Sequence, residues 1–183
     1  SRFLKFLDRE AKSDGDSYEE FYQEFSRFIK EGICVDHEHQ QALAKLLRFE
    51  SSMDEGLTSL PDYLSRSKAE QDAIYYQVGE SRSAIEAGPY LEAFQARGLE
   101  VAFFYESIDD YLITNLREYE GKKLIPVDRA DLDLGDLVSE SDDPALAQDE
   151  LEKLEAFLKE CLGDRVEEVA AGTRLVSSPA AAL

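Results

Sequence analysis

The segment GICVDHEH, from Gly32 to His39, holds both histidines of the chain, one of its two cysteines and two carboxylates. Zinc takes about four ligands in a tetrahedral shell, and a Cys34 thiolate with the imidazoles of His37 and His39 would supply most of it. The spacing works against this. Side chains two positions apart diverge on a helix, so His37 and His39 could chelate together only on extended backbone. A helix start explains the same residues without metal, with Asp36 as cap and Glu38 near the positive end of the dipole.

A second constellation lies in FFYESIDD, where Glu106, Asp109 and Asp110 follow an apolar run. Carboxylates at a strand end suit Mg²⁺, a hard cation that takes oxygen ligands. Asp110, however, stands three residues after Ser107, the spacing of a capping box. A metal-dependent enzyme using Cys34, His37 and His39, or Glu106, Asp109 and Asp110, is therefore the alternative reading rather than the preferred one. Ser81, in YYQVGESRSA, has no histidine nearby to act as base and reads as a helix cap. That stretch also lacks GxGxxG, the GxxxxGK[ST] loop and the GxSxG elbow. On the helix after FFYE, Tyr111 and Leu112 beside acids have the character of a protein-recognition surface.

Several elements must position these groups. Phe3, Leu4, Phe6 and Leu7 form one apolar patch before KSDGDS breaks the pattern. Ser17 and Glu20 have capping-box spacing ahead of Tyr18, Phe21, Tyr22, Phe25, Phe28 and Ile29, which recur at helical intervals. Gly32 is expected to stop that helix. Asp36 is expected to cap the next, with Ala42, Leu43, Leu46 and Leu47 as its buried face. Ser59, Pro61 and Asp62 open another short helix. After residue 72 the pattern alternates. AIYYQV, LEVAFFY and KKLIPV read as strands, with helical pieces SRSAIEAG, PYLEAFQARG and DDYLITNLREY between them. Alternation with short connections predicts an α/β layer with a short parallel sheet.

The fold class expected is thus α/β: a helical subdomain (1–72), then a small α/β part (73–127). Residues 128–147 are carboxylate-rich and aperiodic, the composition of a flexible acidic linker. Residues 148–183 supply an amphipathic helix through Leu151, Leu154, Phe157, Leu158 and Leu162. RVEEVAAGTRLVSSPAAAL follows as a β-hairpin turning near Gly172, and its apolar end suggests a chain cut within a domain.

Composition narrows the partners. Forty acids against 20 Lys and Arg give 183 residues a formal charge of -20, which disfavours nucleic acid and anionic membrane surfaces. No apolar run approaches the roughly 20 residues that span a bilayer. SRFLKFLDREAK has no small-residue cleavage site and does not read as a signal peptide. Two cysteines without a CxxC pattern suit a reducing, cytoplasmic setting.

Five stretches taken together carry a resemblance. EEFYQEFSRFIKEGI, LAKLLRFESS, LTSLPDYLSRSKAEQDAIYYQVGES, SIDDYLITNLREYEGKKL and LGDRVEEVAAGTRLVSSPAA resemble, in order and spacing, the ninety-kilodalton heat-shock chaperone family in its bacterial, HtpG-like form. The resemblance implies the later part of a middle domain followed by the truncated start of a C-terminal dimerisation domain. It implies a parent that is an ATPase and a homodimer, that remodels unfolded or partly folded clients, and that works with co-chaperones. ATP and Mg²⁺ would then bind a missing N-terminal domain. No catalytic or cofactor residue falls in this fragment, which is expected to be inactive alone. Arg2 aligns with a helix beyond the family's γ-phosphate arginine and does not inherit that role. What carries over is an acidic-aromatic face for clients, formed by Asp110, Tyr111 and Thr114. Tyr111 stands where bacterial members commonly have Trp, and Thr114 where they have an amide.

Overall fold

The computed structural model describes residues 1–53, 55–129, 132, 146–172, 175 and 177–181. Helices α1 (Arg2–Ser13) and α2 (Gly15–Val35) are separated by Asp14 alone. The Asp14 carboxylate accepts from the Ser17 amide at 3.2 Å. It thereby satisfies an amide that the first turn leaves open. The cap expected at Ser17 therefore lies three residues earlier. Helix α2 also runs through Gly32 instead of stopping there. A Cβ at Gly32 would sit 3.1 Å from Leu43 Cδ1, so glycine serves close packing against α3 (Gln40–Ala44). Asp36 ends α2, and His39 holds the cap position of α3. In the expected α3 face Leu43, Leu46 and Leu47 are buried, but Ala44 takes the place of exposed Ala42.

Helix α4 (Leu60–Arg66) begins as its residues suggest, with the Ser59 hydroxyl accepting from the Asp62 amide at 3.2 Å. The sheet comprises β1 (Glu50–Ser51), β2 (Ala73–Val78), β3 (Val101–Phe104), β4 (Glu118–Tyr119) and β5 (Lys122–Pro126), in the order β1-β3-β2-β5-β4. Central β2 pairs in parallel with both β3 and β5, with Tyr75 opposite Val101 and Ile125. This is the expected parallel core. Strands β1 and β4 extend it as antiparallel edges, making the sheet mixed. Each edge strand has only two residues, too few for a period to show in the sequence.

Alternation along the strands divides the interior. Ile74, Ala102 and Phe104 face a core with Tyr22, Ile33, Leu46, Tyr63 and Leu112. Ala73, Tyr75, Val101 and Phe103 face the opposite way, onto Ile85, Leu91 and Phe94. The second set comes from α5 (Arg82–Glu86), the 3-10 turn Pro89–Leu91 and α6 (Glu92–Ala96). Helix α7 (Ser107–Leu116) covers the first face beside α2. Helical material thus lies on both faces, as parallel strands buried on two sides require. Complete burial of a large apolar side chain contributes about 1.5–3 kcal/mol. The first core joins residues from both sides of position 72.

Beyond the sheet, α8 (Gln148–Leu162) forms as expected but has no fully buried residue; Phe157 is 60% exposed. The expected hairpin falls partly on 173, 174 and 176, which lie outside the described residues; after the turn Gly163–Arg165 the described residues are assigned to no strand. Most of the expected linker at 128–147 lies outside the described residues.

Candidate functional site

The first chemical constellation is pulled apart by the fold. Cys34 lies in the core on the last turn of α2. Burial, assisted by the charge of Glu31, raises its thiol pKa above the ordinary range. A thiol held protonated is a poor nucleophile and a poor ligand. His37 is exposed in the turn, whereas His39 Nδ1 lies 3.0 Å from Asp36 Oδ2. Hydrogen bonding to that imidazole lowers the Asp36 carboxyl below its usual range. Among the described residues, no group of three or more His, Cys, Asp or Glu side chains is arranged to hold a metal ion. With Cys161 exposed and Cys34 buried, a thiol reagent is expected to label Cys161 at least about tenfold faster in the folded chain. Equal rates, measured by mass spectrometry of the labelled peptides, would contradict this packing of α2.

The acidic constellation is also divided. Asp109 is buried, and its Oδ1 lies 2.7 Å from Lys30 Nζ. Glu106 Oε1 lies 2.8 Å from the same ammonium. An organic cation from α2 therefore occupies the position between these carboxylates that the metal reading assigned to an ion. The other oxygen of Asp109 accepts from the amides of Tyr105, at 3.1 Å, and Glu106, at 3.0 Å. This is the cap of α7, one residue earlier than the expected Ser107–Asp110 pair. Lys30 was not singled out in the sequence. Its place beside Ile29 and Ile33, on the side of α2 that also carries Tyr22, was the available signal that a charge enters the core.

Asp110, Tyr111 and Thr114 lie together on the open side of α7. Tyr111 is 58% exposed, but Leu112, expected beside it on the recognition surface, is buried with Ile113 and Leu116, because one step along the helix turns it to the core. The Thr114 hydroxyl donates to the Asp110 carbonyl at 2.8 Å, so it is held against the helix. Beside it runs a groove of about 240 Å³ between α7 and the ends of β2 and β5. Tyr76, Val78 and Pro126 line it from the sheet side, Ile113 and Thr114 from the helix. Asp110 and Asp128 complete the lining. Burial raises the Tyr76 phenol above its ordinary pKa, and the charges of Asp128 and Asp110 add to the shift. Both carboxylates thus act on one ring. Asp128, Tyr76, Val78 and Pro126 were not expected here, because only the parallel pairing of β2 with β5 brings 76–78 beside 126–128.

The described residues thus form a layered α/β fold with an open acidic-aromatic face, and no helix among them is long and apolar enough to cross a membrane. The family model described as Hsp90 protein matches residues 2–183, and the chain belongs to the Hsp90 family. Among similar proteins, Chaperone protein HtpG of Desulfitobacterium hafniense (strain Y51) is 49% identical over 183 residues. That match covers 98% of this chain and 30% of that protein. Chaperone protein HtpG of Desulfotalea psychrophila (strain LSv54) is 44% identical, with 98% of this chain and 30% of that protein covered. The chaperone of the same name from Alkalilimnicola ehrlichii is 41% identical, with 98% and 28% covered. The chain thus spans about 30% of the length of these relatives.

Proposed function

We propose that this chain is the client-contacting section of an ATP-dependent molecular chaperone, and that α7 presents the contact through Asp110, Tyr111 and Thr114. The observation that carries the reading is Tyr111, a large aromatic side chain left 58% exposed on a helix whose opposite side is buried. An aromatic ring with a polar tip contributes contact area without needing a deep pocket. Weak, adaptable contacts of this kind suit partly unfolded clients of many sequences. The surrounding carboxylates keep such a surface soluble.

In this proposal residues 1–127 are the later middle domain of the parent, 128–147 a flexible acidic link, and 148–183 the start of its C-terminal domain. ATP and Mg²⁺ belong to an N-terminal domain of the parent and homodimerisation to its C-terminal region, co-chaperones are further partners of the parent, and the setting is cytoplasmic. The chain itself has no catalytic role.

Binding of a permanently unfolded model protein to the chain, followed by fluorescence anisotropy, tests the reading. Tyr111→Ala is expected to weaken binding about five- to tenfold, the effect of losing one aromatic anchor. Its far-UV circular dichroism should stay that of the parent chain, since the side chain is exposed. Undiminished affinity would remove Tyr111 from the client surface.

A further inference from the structure

We propose that the groove between α7 and the β2–β5 strand ends takes a lysine or arginine side chain of an extended client segment, seated between Asp110 and Asp128. The proposal rests on the client reading above and names which part of a client the surface selects. Three features of the groove support it. Its lining is apolar at Val78, Ile113 and Pro126. Its charged lining residues are both acids, Asp110 and Asp128. Tyr76, between the sheet and these acids, experiences the charge of each.

A lysine or arginine side chain matches all three. Its methylene stem can lie along apolar surface while the charged head remains near water. Here the stem would run over Val78 and Pro126, and the head would meet the two carboxylates. The Tyr76 ring adds a face on which a guanidinium can rest. A fully apolar occupant would leave two carboxylates desolvated without a partner, which is unfavourable. An anionic occupant would meet repulsion from both. A divalent metal ion takes about six or more oxygen ligands, and two separated carboxylates fall short of that. Tyr111 stands outside the groove on the next position of α7, where it can hold a neighbouring apolar residue of the same segment. The site therefore reads a cation with an apolar group close to it in the same segment.

The test uses the 183-residue chain and two fluorescent, unstructured peptides of identical apolar content, one carrying arginines and the other glutamines at the same positions. At low salt the arginine peptide is expected to bind about tenfold tighter, the scale of two partly screened ion pairs. Raising the salt should erase most of that difference. Asp110→Asn with Asp128→Asn should lower arginine-peptide affinity to the level at which the same double variant binds the glutamine peptide. Both replacements keep side-chain shape, and unchanged circular dichroism verifies the fold. Tyr111→Ala should weaken both peptides alike. Equal binding of the two peptides to the unaltered chain would overturn the cation slot while leaving the Tyr111 reading intact. So would an arginine preference that survives the double replacement. Failure of both peptides to bind would overturn both. Stoichiometric Ca²⁺ binding that the double variant abolishes, with no arginine preference, would assign the groove to a metal ion instead.

Discussion

Lys30→Met is expected to destabilise the chain by about 3 kcal/mol, at the lower end of what removing one partner of a buried ion pair costs. The Lys30 side chain is 5% exposed and that of Asp109 is 2% exposed. Removing the ammonium leaves a carboxylate in the core with only the Tyr105 and Glu106 amides to compensate it. Those two hydrogen bonds keep the loss from being larger. Glu106 cannot help, since it is itself an anion, and its 54% exposed side chain relaxes into water. Urea denaturation followed by circular dichroism measures the effect. Adding Asp109→Asn to Lys30→Met should recover more than half of the loss, because the amide oxygen can still accept at the helix start without a charge. No recovery would show that Lys30 contributes through packing of its stem rather than through Asp109.

Tyr63→Phe is expected to cost about 2–4 kcal/mol, although it deletes one oxygen. The Tyr63 ring is completely buried, and its hydroxyl joins three partners. It donates to the Glu100 carbonyl at 2.7 Å and accepts from the Tyr75 amide at 3.0 Å and Gln71 Nε2 at 3.1 Å. Gln71 keeps a second acceptor in the Ala73 carbonyl. The Glu100 carbonyl and the Tyr75 amide each lose this partner, and an unsatisfied buried group costs about 1–3 kcal/mol. The hydroxyl sits where α4 meets the start of β3 and the middle of β2. Faster hydrogen exchange at the Tyr75 amide, together with a lower denaturation midpoint, is the expected signature. A loss under about 0.5 kcal/mol would mean that these groups find replacement partners.

Both results depend on residues that carried little signal when read singly. Tyr63 lies within SLPDYLSR, where capping chemistry was plain, yet nothing local says that its hydroxyl would link two strands. Lys30 follows an isoleucine and precedes a glutamate, as a surface lysine would. By contrast, the three central strands were legible from β-branched and aromatic runs bounded by turns, and α4 from Ser59, Pro61 and Asp62. Helix boundaries were less so. Gly32 looks like a terminator, but the carbonyls of α2 continue to find donors, and the missing Cβ is used by Leu43 instead. The caps at Asp14 and Glu106–Asp109 were displaced because several neighbouring Ser, Asp and Glu residues could each have served.

For the candidate surface, local sequence indicated α7 and an aromatic residue beside acids, while the choice of Asp110, Tyr111 and Thr114 came from the family resemblance. Leu112, read with Tyr111 as surface, is buried because helical spacing puts it with Ile113 and Leu116 on the other side. Chain-long similarity determined the family. Tertiary structure decided how the acids divide: Asp109 turns inward to Lys30, while Asp110 joins Asp128 at the groove. That division comes from parallel pairing of β2 with β5 and from α2 packing on α7. Contacts across tens of residues set which carboxylate is neutralised and which remains available, because a charge left in the core without its partner is too costly to keep.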